Sequence, residues 1–136
     1  MFSMLQTNIL KSSVWKVFEI FVDEPLKIHY VKEITRRINL APTSVKKHLE
    51  NLGKENILKR KMGDRFNGYI SNRDHEKFIF YKQVFNKIKI KESGLIDYLI
   101  NLIHPKTIVL YGSYNKGEDI EKSDIDLIII SNVKKI

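Results

Sequence analysis

Residues 107–131, TIVLYGSYNKGEDIEKSDIDLIIIS, hold the residue types and spacing that could do chemistry. An apolar run from Thr107 to Tyr111 meets Gly112 and Ser113. A polar loop containing Gly117 follows, and Ser123 then precedes Asp124, Ile125 and Asp126. A second apolar run, Leu127 to Ile130, closes the stretch. Both runs are short, β-branched and bounded by turn residues, so strands are expected. Side chains alternate along a strand, which would put Asp124 and Asp126 on one side with Cα atoms roughly 7 Å apart. Two carboxylates so placed repel each other and lose hydration unless a cation sits between them. Oxygen donors of this kind suit Mg²⁺ or Mn²⁺, held by one or two carboxylates together with substrate phosphates.

The rest of the chain must position these groups. Asn8 to Val22 reads as a first helix, with Ile9, Leu10, Val14, Val17, Phe18 and Phe21 on one stripe and Thr7 or Asn8 as cap. Trp15 lies off the centre of that stripe, in a partly buried role. Asp23-Glu24-Pro25 stops the helix, and Leu26 to His29 alternates like a short edge strand. Val31 to Ile38 makes a second helix. Asn39-Leu40-Ala41 turns the chain, and Pro42 opens a third helix that runs to about Lys54 and buries Val45, Leu49 and Leu52. Thr43, Ser44, Lys47 and Asn51 then face away from the apolar stripe, with Lys46 and His48 on its flanks. Ile57 to Met62 and Tyr69 to Ser71 read as two strands joined by a turn, with Lys59, Arg60, Lys61 and Arg65 on or near them.

Asn72 or Asp74 would cap a longer helix reaching about Lys91, with Phe78, Ile79, Tyr81, Val84, Phe85 and Ile88 as a wide apolar surface. That surface is expected to pack on the first helix, on the C-terminal stretch, or on its own copy in a dimer. Lys87, Lys89 and Lys91 read as solvated. Ser93-Gly94 breaks the pattern, which divides the chain into residues 1–92 and 93–136. Leu95 to Ile103 is a short amphipathic helix ended by His104-Pro105. His29, His48, His75 and His104 are dispersed without metal-ligand spacing and read as surface or capping residues.

The formal charge is +8, and it is unevenly spread. Residues 1–73 carry 14 Lys and Arg against 7 Asp and Glu, whereas residues 74–136 carry 10 against 9. The excess positive charge in the N-terminal half points to a polyanionic partner. Cysteine is absent, which excludes disulfides and zinc–thiolate sites. No apolar run approaches the roughly 20 residues that span a bilayer, and no export signal is recognisable. A cytoplasmic protein without membrane contact is therefore expected.

Helix, short strand, helix, helix and hairpin over residues 8–72 resemble the winged helix-turn-helix family of small prokaryotic transcription regulators. The resemblance implies double-stranded DNA as partner. Thr43, Ser44, Lys47 and Asn51, with Lys46 beside them, would approach base edges. Lys59, Arg60, Lys61 and Arg65 would approach phosphate or the minor groove. A purely structural or protein-binding role for this region is the alternative.

Leu110-Tyr111-Gly112-Ser113, Gly117-Glu118 and Ser123-Asp124-Ile125-Asp126-Leu127 resemble the minimal nucleotidyltransferase family of the DNA polymerase β superfamily. The resemblance covers about residues 95–136. It implies that Gly112 and Ser113, with Lys116 nearby, hold the phosphates of a nucleoside triphosphate, and that Asp124 and Asp126 bind a divalent metal and serve catalysis. Tyr114 stands where many relatives carry arginine. Relatives also supply a third carboxylate from a later strand, whereas the ten residues after Asp126 contain no acid. The sequence is thus expected to be a piece of a longer protein or a shortened module, and its last strand would expose an edge open to dimerisation.

The expected fold is α+β: a winged helix-turn-helix followed by a small, incomplete α/β nucleotidyltransferase-type unit. The expected function is a DNA-binding regulator whose C-terminal unit binds nucleotide and metal without catalysis in this 136-residue form. One alternative is a Mg-dependent transfer of a nucleoside monophosphate to a protein, RNA or small-molecule acceptor, once a longer chain supplies the third carboxylate. Another is an interaction module analogous to nucleotidyltransferase-type antitoxins.

Overall fold

The computed structural model describes residues 12–132. Its elements run α1 (Ser13–Asp23), α2 (Val31–Ile38), α3 (Pro42–Lys54), β1 (Leu58–Met62), β2 (Asn67–Ser71), α4 (Glu76–Glu92), α5 (Leu95–Ile103), β3 (Thr107–Tyr111), α6 (Gly112–Lys116) and β4 (Asp126–Ile130). Mixed helices and two small antiparallel sheets make an α+β structure. The expected caps Thr7 and Asn8, with Ile9 and Leu10, lie outside the described residues. The first described helix starts at Ser13, with Ser12 extended at its N-cap.

Apolar spacing places α1 at the centre of the core. Val17, Phe18, Ile20, Phe21 and Val22 are buried against Ile34 of α2, Val45, Leu49 and Leu52 of α3, and Ile57 and Leu58. Between α2 and α3 the backbone turns at Asn39, which takes a left-handed conformation (φ 52°), one that asparagine tolerates better than most residues. β1 and β2 pair from Leu58↔Ser71 to Met62↔Asn67. The expected edge strand is reduced to a single bridge: the His29 and Tyr69 amides each donate to the other's carbonyl, at 2.8 and 2.9 Å. Ser71 Oγ donates to the Phe21 carbonyl at 2.8 Å and ties the hairpin to α1.

His29 is not a surface residue as its sequence context implied. It is buried, edge-on to Phe21 at 4.9 Å, and its Nδ1 lies 2.9 Å from Glu33 Oε2. Arg37 bridges Glu24 at 2.5 Å and Glu33 at 3.0 Å, while Lys27 adds a second contact to Glu24 at 2.8 Å. The bond from Lys27 leads in holding the Glu24 carboxyl down at about 2, with Arg37 adding to it against the opposing effect of burial.

α4 joins the two halves. It begins at Glu76 with His75, not Asn72 or Asp74, as its cap: the Lys77 amide donates to His75 Nδ1 at 3.1 Å. One face inserts Phe78 and Phe85 into the aromatic cluster of α1, where Phe18 meets them edge-on at 5.9 and 6.1 Å and Trp15 stacks on Phe85 at 5.8 Å. Each buried phenyl contributes roughly 1.5–3 kcal/mol. The adjoining flank of the same buried stripe is polar and holds the segment around α6, with Lys82 Nζ 6.0 Å from the centre of the Phe78 ring. Lys82 and Asn86, one turn apart, are both buried. Lys82 Nζ donates to the Asp119 carbonyl and lies 3.5 Å from its carboxylate. Asn86 Nδ2 donates to Asp119 Oδ1 at 2.8 Å and to the Tyr114 carbonyl at 3.0 Å. Tyr114 is buried, and its hydroxyl donates back to the Asn86 carbonyl at 3.1 Å. Burial pushes the Lys82 ammonium down despite the Asp119 partner. Of the three lysines expected to be solvated, Lys87 and Lys91 are exposed, Lys91 with a surface contact to Asp97 at 3.4 Å, while Lys89 is half-buried and paired with Asp23.

β3 and β4 pair from Thr107↔Ile130 to Tyr111↔Asp126. Ile108, Leu110, Leu127 and Ile129 are half-buried, with Leu99 and Ile103 of α5 buried nearby in the chain. The other face, carrying Val109, Tyr111, Ile128 and Ile130, is exposed. No helix among the described residues is long and apolar enough to cross a membrane.

Two outcomes are expected. Lys82→Ala leaves Asp119 facing a cavity without its cation, and should lower unfolding free energy by roughly 3 kcal/mol, read by urea denaturation; an effect below about 0.5 kcal/mol, the range of ordinary surface substitutions, would contradict this packing. The Glu24 carboxyl titrates lower when folded than when unfolded, so its contribution is complete above the ordinary value of 4.5 and is lost as pH falls towards about 2. Glu24→Gln should therefore flatten the fall in thermal midpoint across that window, with a lower midpoint than wild type at neutral pH.

Candidate functional site

The Gly-Ser turn and the second aspartate meet through strand register. Tyr111 is the last residue of β3 and lies opposite Asp126, the first residue of β4. Gly112 follows at φ 78° and swings the chain into α6. That left-handed conformation favours glycine, and space demands it as well, because a Cβ on Gly112 would collide with the Asp126 carboxylate. The carboxylate therefore packs directly against the turn that starts α6. Ser113 is half-buried in the first turn, and Lys116 is exposed at the last residue of α6.

Asp124 is placed differently from the expectation of a shared strand face. β4 begins only at Asp126, and Asp124 lies in irregular, exposed backbone ahead of it. The reason is the end of the ladder: beyond Tyr111 the partner chain has left for α6, so residues before Asp126 have nothing to pair with. Ser123 closes a local turn there. Its amide donates to the Ile120 carbonyl at 3.0 Å, and its Oγ accepts from the Ile120 amide at 2.9 Å.

The donor set fits a hard divalent cation in kind. Two carboxylates are available, and the glycine leaves open the space into which Asp126 reaches. Among the described residues, no third His, Asp or Glu forms a metal-sized cluster with Asp124 and Asp126. Such a cluster does occur elsewhere, at Glu24, His29 and Glu33. Its carboxylates are already bridged by Arg37, and the His29 ring is bonded to Glu33, so the cluster is a satisfied ion-pair network.

The turn at Gly112 and Ser113 depends on residues that sequence reasoning passed over. Lys82, Gln83 and Asn86 of α4 carry the segment from Tyr114 to Asp119, Gln83 Nε2 donating to the Asn115 carbonyl at 3.3 Å. Gly117 (φ 71°) allows the close approach, since a Cβ there would sit 2.8 Å from the Ile79 carbonyl. Tyr114 is turned inward and gives its hydroxyl to α4, away from solvent. The available signal was Lys82 and Asn86, polar residues that follow Phe78 at four-residue spacing and so fall on the buried stripe of the helix.

The basic residues form a second surface. Thr43, Lys46, Lys47 and Asn51 of α3 are exposed and Ser44 is half-buried, while His48 is bonded to Ser13 Oγ at 2.8 Å. Lys59, Arg60 and Lys61 of β1 and Arg65 of the turn are exposed. Arg60 lies over the Tyr69 ring at 5.9 Å, which fixes its direction. A groove lined by Glu50, Gly53 and Lys54 of α3 and by Lys59, Arg60 and Tyr69 of the hairpin joins the two elements.

No curated protein and no solved structure matches the chain. Residues 93–135, from just past α4 through β4, match the family described as polymerase beta, nucleotidyltransferase, which marks this part of the chain as a nucleotidyltransferase-type unit.

Proposed function

We propose that the protein is a duplex-DNA-binding regulator of the winged helix-turn-helix kind whose C-terminal unit holds a nucleoside triphosphate with Mg²⁺ or Mn²⁺. The observation carrying the DNA reading is the placement of the cations. Lys46 and Lys47 of α3 and Lys59, Arg60, Lys61 and Arg65 of the hairpin are all exposed, on two elements that share a groove. Surface cations on one helix and one hairpin gain from a polyanion by releasing its counterions. Thr43, Ser44, Lys47 and Asn51 offer the short polar and basic groups that read base edges, and the hairpin cations offer phosphate contacts.

In the C-terminal unit the turn at Gly112 and Ser113, with Lys116, would face triphosphate oxygens, and Asp126 with Asp124 would hold the metal. When bound, the cation supplies charge neutralisation between those carboxylates and the phosphates. Gly112 keeps the Asp126 carboxylate at the turn, and the α4 contacts through Lys82 and Asn86 keep the turn in place. A second reading, nucleotidyl transfer to a protein, RNA or small-molecule acceptor, is favoured by the family match over residues 93–135. It requires a third carboxylate beside Asp124 and Asp126.

Duplex binding measured by anisotropy across 50–200 mM salt should show a steep salt dependence. The double substitution Lys59→Ala/Arg60→Ala should weaken binding on every sequence and lower the slope by about 1–2. Asn51→Ala should cost about 1–3 kcal/mol and relax base preference at one position. An absence of duplex binding at low salt defeats the DNA reading. For the nucleotide site, Mg²⁺ with a nucleoside triphosphate at about 100 times its Kd should stabilise the fold by about 2.7 kcal/mol, seen as a raised thermal midpoint. Asp126→Ala and Gly112→Ala should each abolish that rise, and a wild-type midpoint indifferent to every nucleoside triphosphate defeats this part.

A further inference from the structure

The tip of the β1–β2 hairpin carries two large apolar side chains that nothing among the described residues covers. Met62 is 77 % exposed and Phe66 is 72 % exposed, the highest values among the large hydrophobic residues described. Met62 closes the ladder opposite Asn67, and Phe66 is the last residue of the turn, just before Asn67. The tip is also firmly held. The Gly63 amide donates to the Phe66 carbonyl at 2.9 Å and closes the turn. Beneath it, the space a Gly63 side chain would need is filled by the Tyr30 hydroxyl. Gly68 packs against Ile28 and the His29 backbone in the same way, and the His29–Tyr69 bridge anchors the strand. A rigid hairpin thus presents an apolar point to solvent.

The surroundings of that point decide what it meets. Lys59, Arg60, Lys61 and Arg65 stand along the hairpin against a single acid, Asp64. Lys61 adjoins Met62 and Arg65 adjoins Phe66 in the chain, so positive charge and apolar surface stand together at the tip. A DNA duplex answers both, because phosphates line the edges of its minor groove and a base step that partly unstacks offers an apolar face between them.

We propose that Phe66, supported by Met62, is a wedge that enters a base step from the minor groove while Lys61 and Arg65 hold the flanking phosphates. Apolar side chains inserted this way partly unstack the step and kink the duplex by roughly 20–90°. The inference rests on the DNA-binding reading and adds to it a defined contact and a bent product. It also gives the protein preference for pyrimidine–purine steps, which unstack most readily, at a position where no base edge is read.

The experiment uses the full chain and a short duplex with a central TA step, end-labelled for energy transfer and carrying 2-aminopurine at that step. Wild type should shorten the end-to-end distance and raise 2-aminopurine fluorescence. Phe66→Ala should lose both signals and weaken binding roughly five- to a hundred-fold, with an unchanged salt slope and thermal midpoint. Phe66→Trp should retain the bend. Arg65→Ala should keep the bend and lower the salt slope by about one. If Phe66→Ala binds and bends DNA as wild type does, the wedge is wrong while the DNA reading stands. If wild type binds no duplex at low salt, both fall. If Phe66→Ala instead loses attachment to phosphatidylserine vesicles and leaves duplex binding untouched, the tip belongs to a membrane surface and the wedge is overturned.

Discussion

The structure depends on one helix that buries aromatic and charged side chains side by side on a single stripe. α4 drives Phe78 and Phe85 into the aromatic cluster of α1 and turns Lys82 and Asn86 towards Asp119 and Tyr114. Burying an ammonium is costly, and the cost is offset here only because Asp119 supplies both a carbonyl and a carboxylate. The same contacts fix the segment that follows Gly112 and Ser113. The apolar packing of one half and the turn at Gly112 in the other are therefore held by adjoining flanks of a single helix.

Much of this was legible in the sequence, for physical reasons that can be named. The bounds of α2, α3 and α5 follow from apolar periodicity ended by Asn39, by Pro42 at the start of α3, and by Gly94 and His104. The hairpin follows from two short runs around a Gly- and Asn-containing turn. β3 and the turn after it follow from an apolar run that meets Gly112. What could not be read were features that depend on contacts distant in the chain. Lys82 resembles any helix-surface lysine until Asp119, 37 residues later, folds onto it. His29 resembles a loop histidine until Glu33 and Phe21 enclose it. The placement of Asp124 outside β4 depends on where the partner strand ends, and that end is set by Gly112 rather than by anything local to the aspartates.

The N-terminal half shows the opposite balance. Its helices were foreseeable in outline, yet the features that give its surface character are matters of exposure. Arg60 is steadied on Tyr69, Lys59 and Lys61 are bare, and Phe66 is uncovered. None of these can be inferred from residue type, because a lysine does not announce whether it has a partner and a phenylalanine is more often buried than bare.

The α4 clamp also sets how the molecule can come apart. The bonds that hold residues 114–119 are few, polar and concentrated on Lys82, Gln83 and Asn86, whereas Phe78 and Phe85 beside them on the same helix are held in the core by aromatic contact. Breaking those polar bonds removes no aromatic contact, so the α6 segment is expected to open as a unit of its own. In amide hydrogen exchange its backbone would respond as a group, ahead of α1 and α4. The segment that follows Gly112 would thus open while the aromatic core stays closed.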